Sequence, residues 1–392
     1  MNRSLLLLAL CQGFFLTNNV VFIAINGLVG LQLAPLGWMA TLPVTGYVVG
    51  SALSAALVAK TQSHFGRKRS FQFGLIVAAL SAALCAYAAV TKNFWLLVAA
   101  TVIAGYYNAN AALYRFAGPE LVAPEFKERA ISLVLAGGII GAIAGPNLAN
   151  ATRSLLDAPF AAAYLSLVGV ALLSLAVLTL IRFPEHHAPK PGATSGRPLS
   201  QIVRQPVFIV AVAAGALGYG VMNLLMAATP IAMAQCGLPF SDAALVLEWH
   251  VLGMFVPSFF TGHLIKRFGA SPIMAVGVLL NLVCIGVALS GVELMQFLIA
   301  LFTLGVGWNF LFVGGSTLLT QAYRPEEKIK TQGAMDFCVF TTMAVTSFAS
   351  GALITTRGWD WLNYGSLPVV LLIAIALLWL AAVRRRTVPA TA

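Results

Sequence analysis

Apolar segments of membrane-spanning length recur twelve times in this chain, and that repetition leaves few folds open. They fall near residues 5–30, 36–59, 70–91, 93–118, 129–151, 159–182, 206–235, 239–265, 271–290, 293–322, 331–356 and 360–383. Each is near or above the roughly 20 residues that a helix needs to cross a bilayer. In hydrocarbon every backbone N–H and C=O must be satisfied internally, so spans of this length are helices. Composition agrees: 60% of residues are hydrophobic, 9% are charged, and the mean hydropathy is +0.90. A soluble domain is excluded, and an all-α membrane protein is expected.

The net charge of +11 and a pI near 9.7 would suit a nucleic-acid binder, but the positions of the charges exclude one. Of the 23 Lys and Arg, all but Lys92, Arg153 and Arg357 fall in loops and helix ends of one side. That asymmetry is the positive-inside rule, and it places both termini in the cytoplasm. The expected macromolecular surroundings are a lipid bilayer and no nucleic acid. The N-terminus resembles a signal peptide, with Arg3 before an apolar run that starts at Leu5. The run continues past Val21 without a clear cleavage site, so an uncleaved first helix is expected. Five Cys give no disulfide framework; Cys11, Cys85, Cys284 and Cys338 lie in apolar segments, where Cys is an inert small hydrophobe.

The longest loop on the basic side covers residues 182–204 and is rich in Pro, Gly and charge, the composition of a linker. It divides the chain into a six-span half (1–182), a linker (183–205) and a second six-span half (206–392). His186 and His187 within it read as a solvated loop. An internal repeat supports the division. The loop after the second span reads HFGRKRS, with Gly66 and Arg67; the loop after the eighth reads GHLIKRFGASP, with Lys266, Arg267 and Gly269. Two parallel six-span halves are the layout of the major facilitator superfamily, which this chain resembles along its whole length. The resemblance implies the major facilitator fold and alternating access. The family's loop signature is incomplete: Ser63 and Lys266 stand where acids are expected.

In the fifth span, GGIIGAIAGPN places Gly141, Gly145 and Pro146 where small residues let helices approach closely. Its tail also resembles a motif of proton-coupled drug exporters. Arg115 and the nearby Glu120 and Glu125 read as a structural ion pair. Glu248 and Asp336 are acids within spans, expected either to couple protons or balance a cation, or to bond a neighbouring helix. Asn19, Asn108, Asn110, Asn147, Asn223 and Asn309 supply amides, some to the cavity.

Met222 with Met226 and His250 with Met254 form two i, i+4 pairs on helices that meet at Gly237-Leu238-Pro239. Each pair lies on one helix face, about 6 Å apart along the axis. If the break is a tight turn, the pairs face at matching depth, three thioethers and an imidazole that suit a soft cation. Methionine is also a flexible core filler. Cys236, at the outer end of the seventh span, is a candidate to hand metal inward. The two pairs resemble those of the copper-importing, CcoA-type branch of the superfamily. That resemblance implies uptake of copper, as an ion or small chelate, across the bacterial inner membrane for cytochrome oxidase assembly. Copper is then substrate; no cofactor, no enzymatic activity and a monomer are expected. The same branch resembles riboflavin carriers, so riboflavin or another small organic solute is the alternative, with proton-coupled drug export behind it. A non-transporting sensor would need a soluble domain, and no loop is long enough.

The charge asymmetry predicts a cytoplasmic C-terminus after Arg384, Arg385 and Arg386. A reporter active only in the periplasm, fused after Ala392, should be silent.

Overall fold

The computed structural model describes residues 3–123, 127–183, 196–324 and 327–387; Glu125, His186 and His187 lie outside them. Among the described residues there is no strand, and eleven helices are long and apolar enough to cross a membrane. They are α1 (Arg3–Leu33), α2 (Gly37–Gln62), α3 (His64–Val90), α5 (Leu133–Thr152), α6 (Ala161–Thr179), α7 (Pro206–Gln235), α8 (Phe240–Phe268), α9 (Ala270–Ala288), α10 (Leu294–Leu319), α11 (Lys330–Thr356) and α12 (Trp359–Arg385). The remaining span is α4 (Phe94–Ala111), whose later turns are made less apolar by Tyr106, Tyr107, Asn108 and Asn110. Twelve alternating spans bring both termini to one end of the bundle, here the terminal end; the opposite end is the far end. Lys92, Arg153 and Arg357 all lie in far-end connections.

The two halves repeat the same backbone devices. The α2–α3 corner turns at Gly66 (φ 77°, ψ 170°) and the α8–α9 corner at Gly269 (φ 90°, ψ 160°). Only glycine adopts that region without strain, which explains the matched Gly in two otherwise different loops. In the first half the fourth helix crosses the second glycine to glycine, with Gly50 on the Val102 carbonyl and Gly105 on the Gly50 backbone. In the second, Gly253 meets the Phe302 carbonyl and Gly305 meets the His250 carbonyl. Backbones approach closely there because no Cβ intervenes. In the same way Gly137, Gly141 and Gly145 seat α5 on α1, so the Gly141, Gly145 and Pro146 segment is a packing face.

At the terminal end Glu120 takes a partner other than the expected Arg115, while the other acid of that expectation, Glu125, lies outside the described residues. Glu120 does not pair with Arg115; it takes a forked contact from Arg67, at 2.8 Å from Nη2 and 3.2 Å from Nε, while Arg67 Nη1 donates to Gln62 at 2.6 Å. The reason is reach: Gly66 turns Arg67 toward the segment after α4. Arg67 therefore finds an acid although Ser63 supplies none. Arg267 lies instead over the Phe268 ring, 5.2 Å from its centroid, and Lys266 is exposed. Arg197 of the linker grips the fully buried Glu327 of the second half, at 2.7 and 2.8 Å, and Lys330 Nζ donates to the Arg197 carbonyl. These bonds from Arg197 hold the Glu327 carboxyl well below the ordinary carboxylate range. A depressed folded pKa means that the bridge contributes fully above the ordinary value of 4.5 and is lost only as pH falls toward the folded value.

At the far end the halves are locked together. Thr41 Oγ1 donates to Ser347 O at 2.6 Å and accepts from Gly351 N–H at 3.0 Å. Trp38 meets Phe348 edge to face, Phe160 meets Phe240, and the Arg153 guanidinium lies 6.0 Å over Phe240. Asn147 Nδ2 of α5 donates to Glu248 of α8 at 2.8 Å. Glu248 thus bonds across the halves, on a different face from His250.

A side chain at Gly351 would collide with Thr41. We expect Gly351→Leu to reach the membrane, to lose transport by about tenfold or more, and to expose Ser347→Cys to thiol reagents applied from the far side. Gly365→Leu, which would enter open space, is the control.

Candidate functional site

The four residues singled out as metal ligands are all buried: Met222 at 1%, Met226 at 5%, His250 at 0% and Met254 at 6% exposure. The break between α7 and α8 is a tight turn. Gly237 sits at φ 79°, and Leu238 N–H donates back to the Met233 carbonyl at 3.0 Å, the Schellman closure of a helix. α7 and α8 are therefore antiparallel.

Both helices are referenced to α10. A Cβ on Gly218 would meet Leu311 at 3.0 Å, and Met222, one turn on, shares that face. Counting at 1.5 Å per residue, Met222 lies near the level of residues 305–308 and Met226 near residues 301–304. On the other side His250 Nδ1–H donates to Leu301 O at 2.6 Å, and Asn309 Nδ2 donates to Met254 O at 2.7 Å. Met226 and His250 thus share one level, and Met222 and Met254 the next. With Nδ1 protonated, Nε2 of the neutral ring is a lone-pair acceptor; it is buried and has no hydrogen-bond partner among the described residues. Cys236 stands apart from this group. It caps α7 at the far end, exposed, ten residues or about 15 Å along the axis from Met226. Burial of part of its surface and the Asp360 charge push its thiol up, away from the thiolate that binds metal.

One turn toward the terminal end lies a cluster that the sequence reading missed. α7 carries a π-type turn at Ala213–Leu217, which re-phases the helix just before Tyr219. Tyr219 meets Trp308 (centroids 5.2 Å, 88°) and Phe312 (5.5 Å, 81°) edge to face. Trp308 and Phe312 stack at 5.1 Å and 9°, and Phe255 of α8 closes on Trp308 at 6.2 Å. Trp308 is the buried floor, with its indole N–H unpartnered among the described residues; Tyr219, Phe312 and Phe255 are half-buried. An unsatisfied buried donor costs about 1–3 kcal/mol. Phe255 also packs against a cluster that joins Leu16, Val20 and Ala142 of the first half to Val251 of α8, so the aromatic group stands near the boundary between halves.

Across that boundary α1 presents Asn19 beside Val20. Asn19 Nδ2 donates to Asn108 Oδ1 at 3.4 Å, and Asn108 Nδ2 to Ser51 Oγ at 2.8 Å; both amides are half-buried. The other amides are committed elsewhere. Asn309 ties α10 to α8 through Met254 O, Ser258 and Thr261, Asn223 ties α7 to α11, and Asn110 bonds Ser70 and Gln62. Arg115 follows α4, in a short helical turn at Tyr114–Ala117. Asp336 of α11 is exposed.

The chain belongs to the Major Facilitator Superfamily, whose sequence profile it matches over residues 5–247 and 211–392. It is 38% identical to the riboflavin transporter RfnT of Brucella anthropi, over 96% of this chain and 95% of that one. It is 28% identical to the uncharacterized transporter YddS of Bacillus subtilis, over 87% and 82%. The fold matches the nucleoside transporter NupG with a TM-score of 0.71 at 11% identity, covering 96% of this chain and 98% of that one. It matches a bacterial metal transporter with a TM-score of 0.68 at 15% identity, covering 96% and 98%. The protein is thus a multi-pass membrane transporter of the secondary type.

The position of Cys236 predicts that Cys236→Ser keeps transport within about twofold of the parent, read as initial uptake rates at matched abundance.

Proposed function

We propose that this protein carries a flavin-class organic solute, riboflavin first among them, inward across a bacterial inner membrane. The observation that carries this reading is the 38% identity to riboflavin transporter RfnT along nearly the full length of both chains. The chemistry at the boundary supports it: aromatic rings suit a flat heteroaromatic system, and half-buried amides suit a hydroxylated chain. Flavin uptake takes the place of copper import as the leading reading. With the basic terminal end in the cytoplasm, the far-end lock corresponds to a cytoplasm-facing state, and rocking of the halves about the site would alternate its exposure.

One observation favours a second reading, a soft-metal site at Met222, Met226, His250 and Met254. The His250 ring donates one N–H to a backbone carbonyl and keeps its other nitrogen free and buried, the arrangement that orients a metal-binding imidazole. Copper delivery toward cytochrome oxidase belongs to that reading.

Uptake of radiolabelled riboflavin and copper into proteoliposomes tests both. We expect saturable riboflavin uptake and no copper uptake. Met to Leu nearly conserves volume and costs less than about 1.5 kcal/mol, so Met222→Leu, Met226→Leu and Met254→Leu should keep riboflavin uptake within about twofold. Copper uptake that these variants abolish, with no riboflavin uptake by the parent, would overturn the flavin reading and establish the metal site.

A further inference from the structure

The geometry points to a divided binding site in which each half of the protein holds a different part of one ligand. This inference rests on the flavin reading. We propose that Tyr219, Trp308, Phe312 and Phe255 of the second half receive a planar heteroaromatic ring. Asn19 and Asn108 of the first half receive its polyhydroxylated chain.

Three features carry the assignment of the ring. The cluster offers both stacked and edge-on faces, the arrangement in which aromatic surfaces attract one another. Its floor holds a donor, Trp308 Nε1–H, that is buried and unpartnered among the described residues. An indole N–H is a donor only, so what satisfies it must bring an acceptor, as a ring carbonyl or ring nitrogen does. Tyr219 and Phe312 are half-buried and form the side from which a ring enters, while Trp308 is held beneath them.

The assignment of the chain follows from what remains across the boundary. Leu16 and Val20 of α1 belong to the cluster that Phe255 packs against, so Asn19, next to Val20 in the chain, lies at about that level of α1. Among the other amides, Asn110, Asn223 and Asn309 bond between helices of their own half. Asn147 joins the far-end lock. Asn19 and Asn108 are half-buried and bonded to each other over a long 3.4 Å, leaving donor and acceptor capacity for hydroxyl groups. A ligand held by both halves at once is bound most tightly when they are correctly opposed, which couples binding to their motion.

The test titrates purified full-length protein in lipid nanodiscs with riboflavin and with lumichrome, the flavin ring without its hydroxylated chain. Quenching of ligand fluorescence reads binding, and uptake of labelled riboflavin is measured in parallel. We expect Phe312→Leu to weaken both ligands by about tenfold or more. Trp308→Phe keeps an aromatic floor without the donor, and should weaken both by several-fold. Asn108→Ala should weaken riboflavin about tenfold and shift lumichrome by less than about twofold. Membrane abundance and thermal melting of each variant confirm folding. If the parent takes up riboflavin and Phe312→Leu and Trp308→Phe, both folded, bind it as the parent does, the ring site is overturned while flavin carriage stands. Equal weakening of both ligands by Asn108→Ala overturns the division between halves. A parent that neither binds nor takes up riboflavin overturns the flavin reading and this site with it.

Discussion

The second half is organised around a contact between two backbones, where Gly305 of α10 lies on the His250 carbonyl of α8. The polar contacts between α8 and α10 are placed by this crossing. It brings the His250 ring within 2.6 Å of Leu301 O and lets Asn309 reach back to Met254 O. It fixes which face of α10 remains for α7, and so where Trp308 and Phe312 meet Tyr219. The first half makes the same crossing with Gly50 and Gly105 and uses it to seat Asn108 against Ser51. Between apolar helices in lipid there is little hydrophobic drive to associate, so close packing and hydrogen bonds across such crossings hold the bundle.

The fold was legible because hydrocarbon solvent is unforgiving. Long apolar runs must be helices, and their number and the two Gly-turned corners at Gly66 and Gly269 indicate the doubled architecture. The α4 span shows the limit of that argument: Tyr106, Tyr107, Asn108 and Asn110 dilute its apolarity because they bond within the bundle and do not face lipid. The partner of Glu120 was hidden for another reason. Arg115 is near it in sequence, but Gly66 swings Arg67 across to it, and sequence distance says nothing of such a swing.

The site was only half legible. Spacing of four residues marks helix faces, so the level of Met222, Met226, His250 and Met254 could be read from the chain. The aromatic cluster could not. Tyr219, Phe255, Trp308 and Phe312 come from three helices and share no period, and the π-type turn at Ala213–Leu217 shifts the phase of α7 just before Tyr219. The one available signal was the pair Trp308 and Phe312 at i, i+4 on α10, the same spacing that drew attention to the methionines.

Around the candidate site the halves present different kinds of polar group. At the boundary the first half joins its amides into a chain, Asn19 to Asn108 to Ser51, that can loosen at its long link without stranding a buried group. The second half instead buries two ring nitrogens without partners among the described residues, an acceptor at His250 Nε2 and a donor at Trp308 Nε1. In a membrane interior such groups are costly, by about 1–3 kcal/mol each, and packing alone would have favoured Leu and Phe at these positions. Both lie in one helix layer, α8 and α10, and neither serves stability. A carrier must also release what it binds. On the flavin reading proposed above, Trp308 Nε1 gains a partner on loading and the Asn19–Asn108 link re-forms on unloading, which would keep the loaded and empty states close in energy, as alternating access requires.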